Sequence, residues 1–263
     1  MSNCIILGQS HVGTLSAAYS KKTPGEWGMG ASFINLHNDQ FKPLFLDNKP
    51  NVEILKQIDS CRSENENTSF AFSLLGAIHT HFGLFSHPEP FDFAFFGDRF
   101  CEENNGEKFY FTEPLTKAFM AEKMAEKSDF GIRLLRELKC RLGDDVVYLQ
   151  APPPPRYSTH LFDEHGTLKL EGPYLERVKN YGICADHFPL VLWRAYDELI
   201  REACDDLDVP YLEVPAQTVD KDGYLTEEMA RFADPTHGNI DFGSKVLDQL
   251  SDYLKTPRKR REA

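Results

Sequence analysis

Asn3-Cys4-Ile5-Ile6-Leu7-Gly8-Gln9-Ser10-His11 reads as a short apolar strand that runs through Gly-x-Ser into a helix. A serine at that junction stands at the C-terminal edge of a parallel sheet, the edge at which α/β proteins hold their chemistry. Five further short runs, rich in β-branched or aromatic residues, are predicted as strands: Ala31 to Leu36, Ser69 to Leu75, Asp92 to Phe96, Val146 to Gln150 and Pro210 to Val214. Helical patterns lie between them. Pro114 to Leu142 carries Leu115, Phe119, Met124, Ile132, Leu135 and Leu138 at near-helical spacing, with a break expected around Ser128-Asp129. Phe188 to Leu207 and Phe242 to Leu254 each show one apolar stripe. Strands alternating with helices imply a mostly parallel sheet covered on both faces.

The size of the chain fits that reading, because 263 residues with 41% hydrophobic content can bury a full core as one large domain. Lys and Arg number 29 against 41 Asp and Glu, a net charge of -12, which repels a phosphate backbone and argues against a nucleic-acid partner. The basic run Arg258 to Arg261 reads as a solvated end. Six cysteines without a Cys-x-x-Cys pair or zinc-ligand spacing read as free thiols. With a core strand at the very start and no stretch near the roughly 20 apolar residues of a membrane span, a cytoplasmic location is expected.

The other end of the chain holds Ala233-Asp234-Pro235-Thr236-His237-Gly238-Asn239, an acid three residues before a histidine just ahead of an amphipathic helix. A histidine serves as a base near neutral pH when its other ring nitrogen is held in one tautomer, and a carboxylate one short turn away does that. Each residue alone has a plainer reading. A serine after a strand commonly caps the following helix, and His11 is expected to pack on that helix rather than line a cleft. His79 and His81, one residue apart on an extended segment, would share a face, but no third ligand has diagnostic spacing, so no metal is expected. Gly8 to Thr14 lacks the lysine of a phosphate-binding loop. The run Pro152 to Pro155 must leave the sheet, either as a stiff exit or as a wall of a substrate cleft.

Taken together, the two ends resemble the GDSL or SGNH hydrolase family, as a divergent member. Gly8-Gln9-Ser10 corresponds to the family's first block with its nucleophilic serine, and Asp234-Pro235-Thr236-His237 to its closing Asp-x-x-His. The resemblance implies a three-layer α/β/α, flavodoxin-like fold with a mostly parallel sheet. It implies one domain of this type over 1–255; within it the irregular, aromatic-rich pattern of 157–188 reads as a long loop or lid that shapes specificity, and 256–263 reads as a basic tail. It also implies a serine esterase or acylhydrolase needing no metal or cofactor. Ser10 would attack an ester carbonyl, His237 would take its proton, and Asp234 would orient the imidazole. The oxyanion would be held by the Ser10 amide, by an amide from Gly28 or Gly30, and by the stretch after the third strand. There Gly76 permits close approach, and His79 or His81 would donate in place of the asparagine that this stretch lacks.

The expected substrate is a small-molecule or glycan ester bearing a short acyl group such as acetyl. Tyr157, His160, Tyr174 and Tyr181 in the irregular segment are suited to stacking on sugar rings. Two other readings use the same residues: acyl transfer to a sugar hydroxyl, and a non-catalytic carbohydrate-binding or scaffold protein. The sequence does not set the oligomeric state.

Overall fold

Strand β1, Ser2–Gly8, turns Ile5 and Leu7 to one face and Cys4 and Ile6 to the other, and all four are buried. Two buried faces on one strand require a layer of helices on each side of the sheet. The computed structural model describes residues 2–47, 49–63, 68–74, 79–84, 117–170 and 173–256, with only the backbone of 81–82, 117–121 and 173–174. Within these, β1 leads into helix α1 (Ser10–Tyr19), a short helix α2 (Pro24–Trp27) and strand β2 (Met29–Asn35). A small antiparallel hairpin, β3 (Phe45–Leu46) and β4 (Lys49–Pro50), precedes helix α3 (Val52–Ser63) and strand β5 (Thr68–Ser73). Helices α4 (Thr80–Gly83) and α5 (Lys117–Leu142) lead to strand β6 (Val146–Leu149). Helices α6 (Tyr157–His160), α7 (Pro173–Tyr181) and α8 (His187–Asp206) lead to strand β7 (Tyr211–Leu212), and α9 (Ile240–Lys255) follows.

The main sheet has five strands in the order β2-β1-β5-β6-β7, and every pairing is parallel. This is the doubly wound order whose connections reverse direction between β1 and the next strand of the sheet. One core joins Ile5 and Leu7 to Phe70, Phe72, Val146 and Tyr148 under α3, α5 and α8. The other joins Cys4 and Ile6 to Ala71, Val147 and Leu149 under α1 and α9. The chain is therefore a three-layer α/β/α protein with a parallel central sheet, as the sequence implies.

Three sequence expectations need adjustment. Helix α5 runs unbroken for 26 residues through Ser128 and Asp129. Neither residue costs a helix more than about 0.7 kcal/mol, and Ser128 is fully buried among flanking turns that bury Met124, Leu134, Leu135 and Leu138. Helix α3 is not anticipated by periodicity because it buries only Ile54 and Ile58. The segment 157–188 is neither open nor irregular throughout: Tyr157, Leu161, Leu170 and Val178 close on Leu84 as a small separate core. The predicted strand Asp92 to Phe96 lies outside the described residues. Among the described residues no helix is long and apolar enough to cross a membrane.

The turn from β1 to α1 depends on one glycine. A Cβ on Gly8 would lie 2.0 Å from the Ser73 carbonyl oxygen and 2.9 Å from a methyl of Val12. The same close approach lets the Gln9 amide donate to Ser73 O at 3.2 Å and the Leu36 amide to Gly8 O at 2.7 Å. Gly8→Ala must push β1 from β5, at a cost expected to be about 3 kcal/mol. Urea unfolding checks this; a change below about 0.5 kcal/mol would mean that β5 simply gives way.

Candidate active site

Ser10 is the first residue of α1, two positions beyond the end of β1, beside the point where the sheet's connections reverse. Ligands of open α/β sheets bind in the crevice outside the carboxyl ends of the strands at such a point. Gln9, not Ser10, occupies the helix N-cap, and no side chain caps α1 there. The Ser10 hydroxyl is thus not used as a helix cap, the plainer role that a serine at this junction would have.

Asp234 and His237 stand at the tip of a hairpin that leads into α9. Its ladder is made by the Asn239 amide donating to Met229 O and the Arg231 amide to His237 O, each at 2.8 Å. The tip is a turn in which the Asp234 amide donates to Arg231 O at 3.1 Å, with Ala233 held at φ 53°. That left-handed conformation costs a residue with a Cβ roughly 1–2 kcal/mol, and strain of this kind persists only where the surroundings over-determine it. Asn239 closes the motif by capping α9, its side-chain oxygen accepting from the amides of Asp241 and Phe242.

Within the tip, Asp234 Oδ1 accepts from the Thr236 amide at 2.8 Å, the Thr236 hydroxyl at 2.9 Å and the His237 amide at 3.0 Å. His237 Nδ1 lies 2.9 Å from both Asp234 oxygens and 2.6 Å from Thr236 Oγ1. A hydroxyl that gives its one hydrogen to Asp234 can only accept at the other side, so Nδ1 carries the proton and Nε2 is the open lone pair. Burial alone would raise the Asp234 carboxyl, but the hydrogen bonds and charge of His237 and the bonds from Thr236 outweigh it. They hold the carboxyl well below the ordinary carboxylate range.

The hairpin is laid against α1: the Thr14 hydroxyl donates to Gly238 O at 3.1 Å. The His11 ring packs on the His237 ring with centroids 4.8 Å apart at 43°. His237 therefore stands over the first turn of the helix that Ser10 opens. Among the described residues His237 Nε2 is buried without a hydrogen-bond partner, and no bond joins it to Ser10. His37, exposed two residues past β2 on the same edge, has its proton affinity lowered by partial desolvation and then by the charges of Lys42 and His237. His11, expected only to pack on its helix, lies against the His237 ring, and His37, which motif reading does not single out, lies near enough to feel its charge. Adjacency to Ser10 marks His11, and position just past the carboxyl end of β2 marks His37.

The oxyanion expectations divide. Gly30 pairs with Asn3 at the start of both strands, whereas Gly8 pairs with Asn35 at their ends. Five residues of extended chain, about 17 Å, separate Gly30 from the edge that carries Ser10, and Gly28 lies further back. Neither amide can serve there; in a parallel sheet it is the residues after β2, Leu36 to Asn38, that share the edge. Gly76 and the His81 side chain lie outside the described residues. His79 is fully buried as the cap of α4, and His81 belongs to α4, so the two do not share a strand face. Among the described residues no group of three or more His, Cys, Asp or Glu is placed to hold a metal ion.

The proposed sugar-stacking residues are also redistributed. Tyr157 is completely buried and His160 is 4% exposed, so neither can stack its ring on a sugar; Tyr181 is half exposed, at 50%, and the Tyr174 side chain lies outside the described residues. Pro152 to Pro155 are buried, and Pro155 with Arg156, Thr159 and His160 borders a cleft of about 220 Å³ shared with Glu227 and Glu228.

No family model matches the chain, and no curated protein matches it. Solved structures similar to it include a GDSL-like lipase from Bacteroides thetaiotaomicron, 8% identical, covering 97% of this chain and 88% of that one with a TM-score of 0.43. Another is a carbohydrate acetylesterase from Sinorhizobium meliloti, 11% identical, with 97% and 98% covered and a TM-score of 0.43. A third is the periplasmic domain of a lipopolysaccharide acetyltransferase from Salmonella ser. Paratyphi A, 12% identical, with 97% and 84% covered and a TM-score of 0.45. At these identities the chemistry has to be read from this chain's own side chains.

Proposed function

We propose that the protein is a serine-dependent ester hydrolase of the GDSL/SGNH type that removes a short acyl group from a small-molecule or glycan ester. The observation that carries this reading is the state of His237. Asp234 and Thr236 fix its Nδ1 proton, and among the described residues its buried Nε2 lone pair has no partner. A buried, unsatisfied acceptor is costly and rare in a folded protein, and a base awaiting a proton donor accounts for it.

In this mechanism the Ser10 oxygen attacks the ester carbonyl as His237 Nε2 takes the hydroxyl proton, and the carbonyl π pair moves onto oxygen. Collapse of the tetrahedral species expels the alcohol, which takes the proton from His237, leaving an acyl-serine. Water attacks that acyl group with His237 again as base, releasing the carboxylic acid and restoring Ser10. Asp234 stabilises the imidazolium in each half-reaction. The Ser10 amide, at the open first turn of α1, is assigned to the oxyanion, with the stretch carrying Gly76, His79 and His81 supplying the second donor.

A serine-directed fluorophosphonate tests the nucleophile. A single adduct per chain is expected by intact mass, located on Ser10 by peptide mapping and absent from Ser10→Ala. A wild-type chain that stays unmodified while turning over no ester would leave the fold as a binding or scaffold protein. Added sugar acceptors that divert acyl groups from water would move the assignment to transfer.

A further inference from the structure

Helix α6 holds the hairpin tip by its backbone carbonyls. His160 Nε2 lies 2.9 Å from Arg231 O and 3.1 Å from Asp234 O, the two residues that close the turn around the strained Ala233. Both neighbours are acceptors, so Nε2 must carry the proton and donate to the pair. Nδ1 is then bare, and among the described residues it is buried without a hydrogen-bond partner. One residue further on, Pro235 O accepts from the Tyr157 hydroxyl at 3.3 Å. Two side chains of one helical turn thus reach the carbonyls of Arg231, Asp234 and Pro235, and the Asp234 carboxylate projects from the middle of that held segment.

We infer that His160, supported by Tyr157, is a positioning residue that fixes the Asp234 backbone so that its carboxylate meets His237 Nδ1. This rests on the reading of Asp234 and His237 as orienter and base. With Nδ1 buried and bare, the ring that donates through Nε2 is the neutral imidazole. Burial first, and then the charge of Lys169, lower the proton affinity of His160, opposed by its bonds to Arg231 O and Asp234 O and by Glu227. The clamp also explains why a histidine and a tyrosine of the segment after the proline run are buried rather than presented to a ligand.

The test compares His160→Leu, His160→Gln and Tyr157→Phe in the full-length protein. In His160→Leu the amides of Thr236 and His237, which donate to Asp234 Oδ1, should exchange about 10- to 100-fold faster while those of α9 keep their rates. The Asp234 carboxyl, followed by ¹³C NMR, should titrate at higher pH than in wild type. With p-nitrophenyl acetate, kcat should fall about 10- to 100-fold with KM within about threefold, the pattern of a misplaced catalytic group. His160→Gln, whose side-chain amide can supply an N–H donor, should restore most of all three.

Wild-type exchange rates and an unmoved Asp234 titration in His160→Leu would overturn the proposal. Should that variant not fold, Tyr157→Phe removes a single hydroxyl and should still speed exchange at Thr236 and His237; no change there overturns it equally. If the wild type hydrolyses no ester, the functional reading fails on its own, and the exchange and titration arms still decide the clamp.

Discussion

Ser10→Ala is expected to lower ester turnover by about 10⁴-fold or more while stability changes by no more than about 0.5 kcal/mol. The size of the kinetic effect follows from what remains: without a nucleophile, only binding and oxyanion donors can accelerate attack by water. The small stability change follows from the structure. A capping serine would cost about 1 kcal/mol on truncation, but the cap position of α1 is Gln9, and no side-chain hydrogen bond caps the helix there. Ser10→Ala therefore leaves the helix cap untouched, and alanine is a slightly better helix former. Hydrolysis of p-nitrophenyl acetate and urea unfolding, measured side by side, separate the two quantities. Turnover within tenfold of wild type in a correctly folded variant would place the nucleophile elsewhere.

How far the sequence carries the structure differs between its two ends. The apolar run Cys4 to Leu7 marks β1, the alternation of strands with helical patterns implies a sheet covered on both faces, and the burial of both faces of β1 bears that out. Asp234 and His237 are legible for a related reason: they lie three residues apart on one loop, so their contact is local and needs no knowledge of the fold. The pairing of that loop with α1 is not local. Thr14 meets Gly238, and His11 meets His237, across more than two hundred residues, and no spacing rule reaches that far.

Gly30 shows the opposite hazard. A glycine near a strand invites a role in the site, but a parallel register puts the residues before β2 at one edge and those after it at the other. Knowing the strand's limits without asking which end faces Ser10 leads to the wrong residue. His160 was legible only as a polar residue in an irregular segment. Its burial, and its bonds to two carbonyls some seventy residues away, exist only once α6 is packed on the hairpin.

Asp234→Asn is expected to leave the fold intact at neutral pH and still lower turnover by about 10⁴-fold. An asparagine oxygen at the Oδ1 position can go on accepting from the Thr236 amide, the Thr236 hydroxyl and the His237 amide, so the hairpin keeps its shape. The amide nitrogen then replaces Oδ2 against His237 Nδ1. Facing an N–H donor, Nδ1 becomes the acceptor, the ring proton moves to Nε2, and the lone pair that should take the Ser10 proton is gone. A residue serving only as a loop cap would lose little on this change, so the kinetics distinguish the two roles.

The same substitution also has a pH signature of definite sign. The folded-state carboxyl of Asp234 is held below its unfolded value, so its ionic contribution to stability is fully present above the unfolded value of about 4 and is lost as pH falls from there towards the folded value. Wild type should exceed Asp234→Asn in stability at pH 7, and the gap should narrow steadily below about pH 4. Urea midpoints across that range measure it. A gap that stays constant into acid would mean that the carboxylate charge contributes nothing to holding His237.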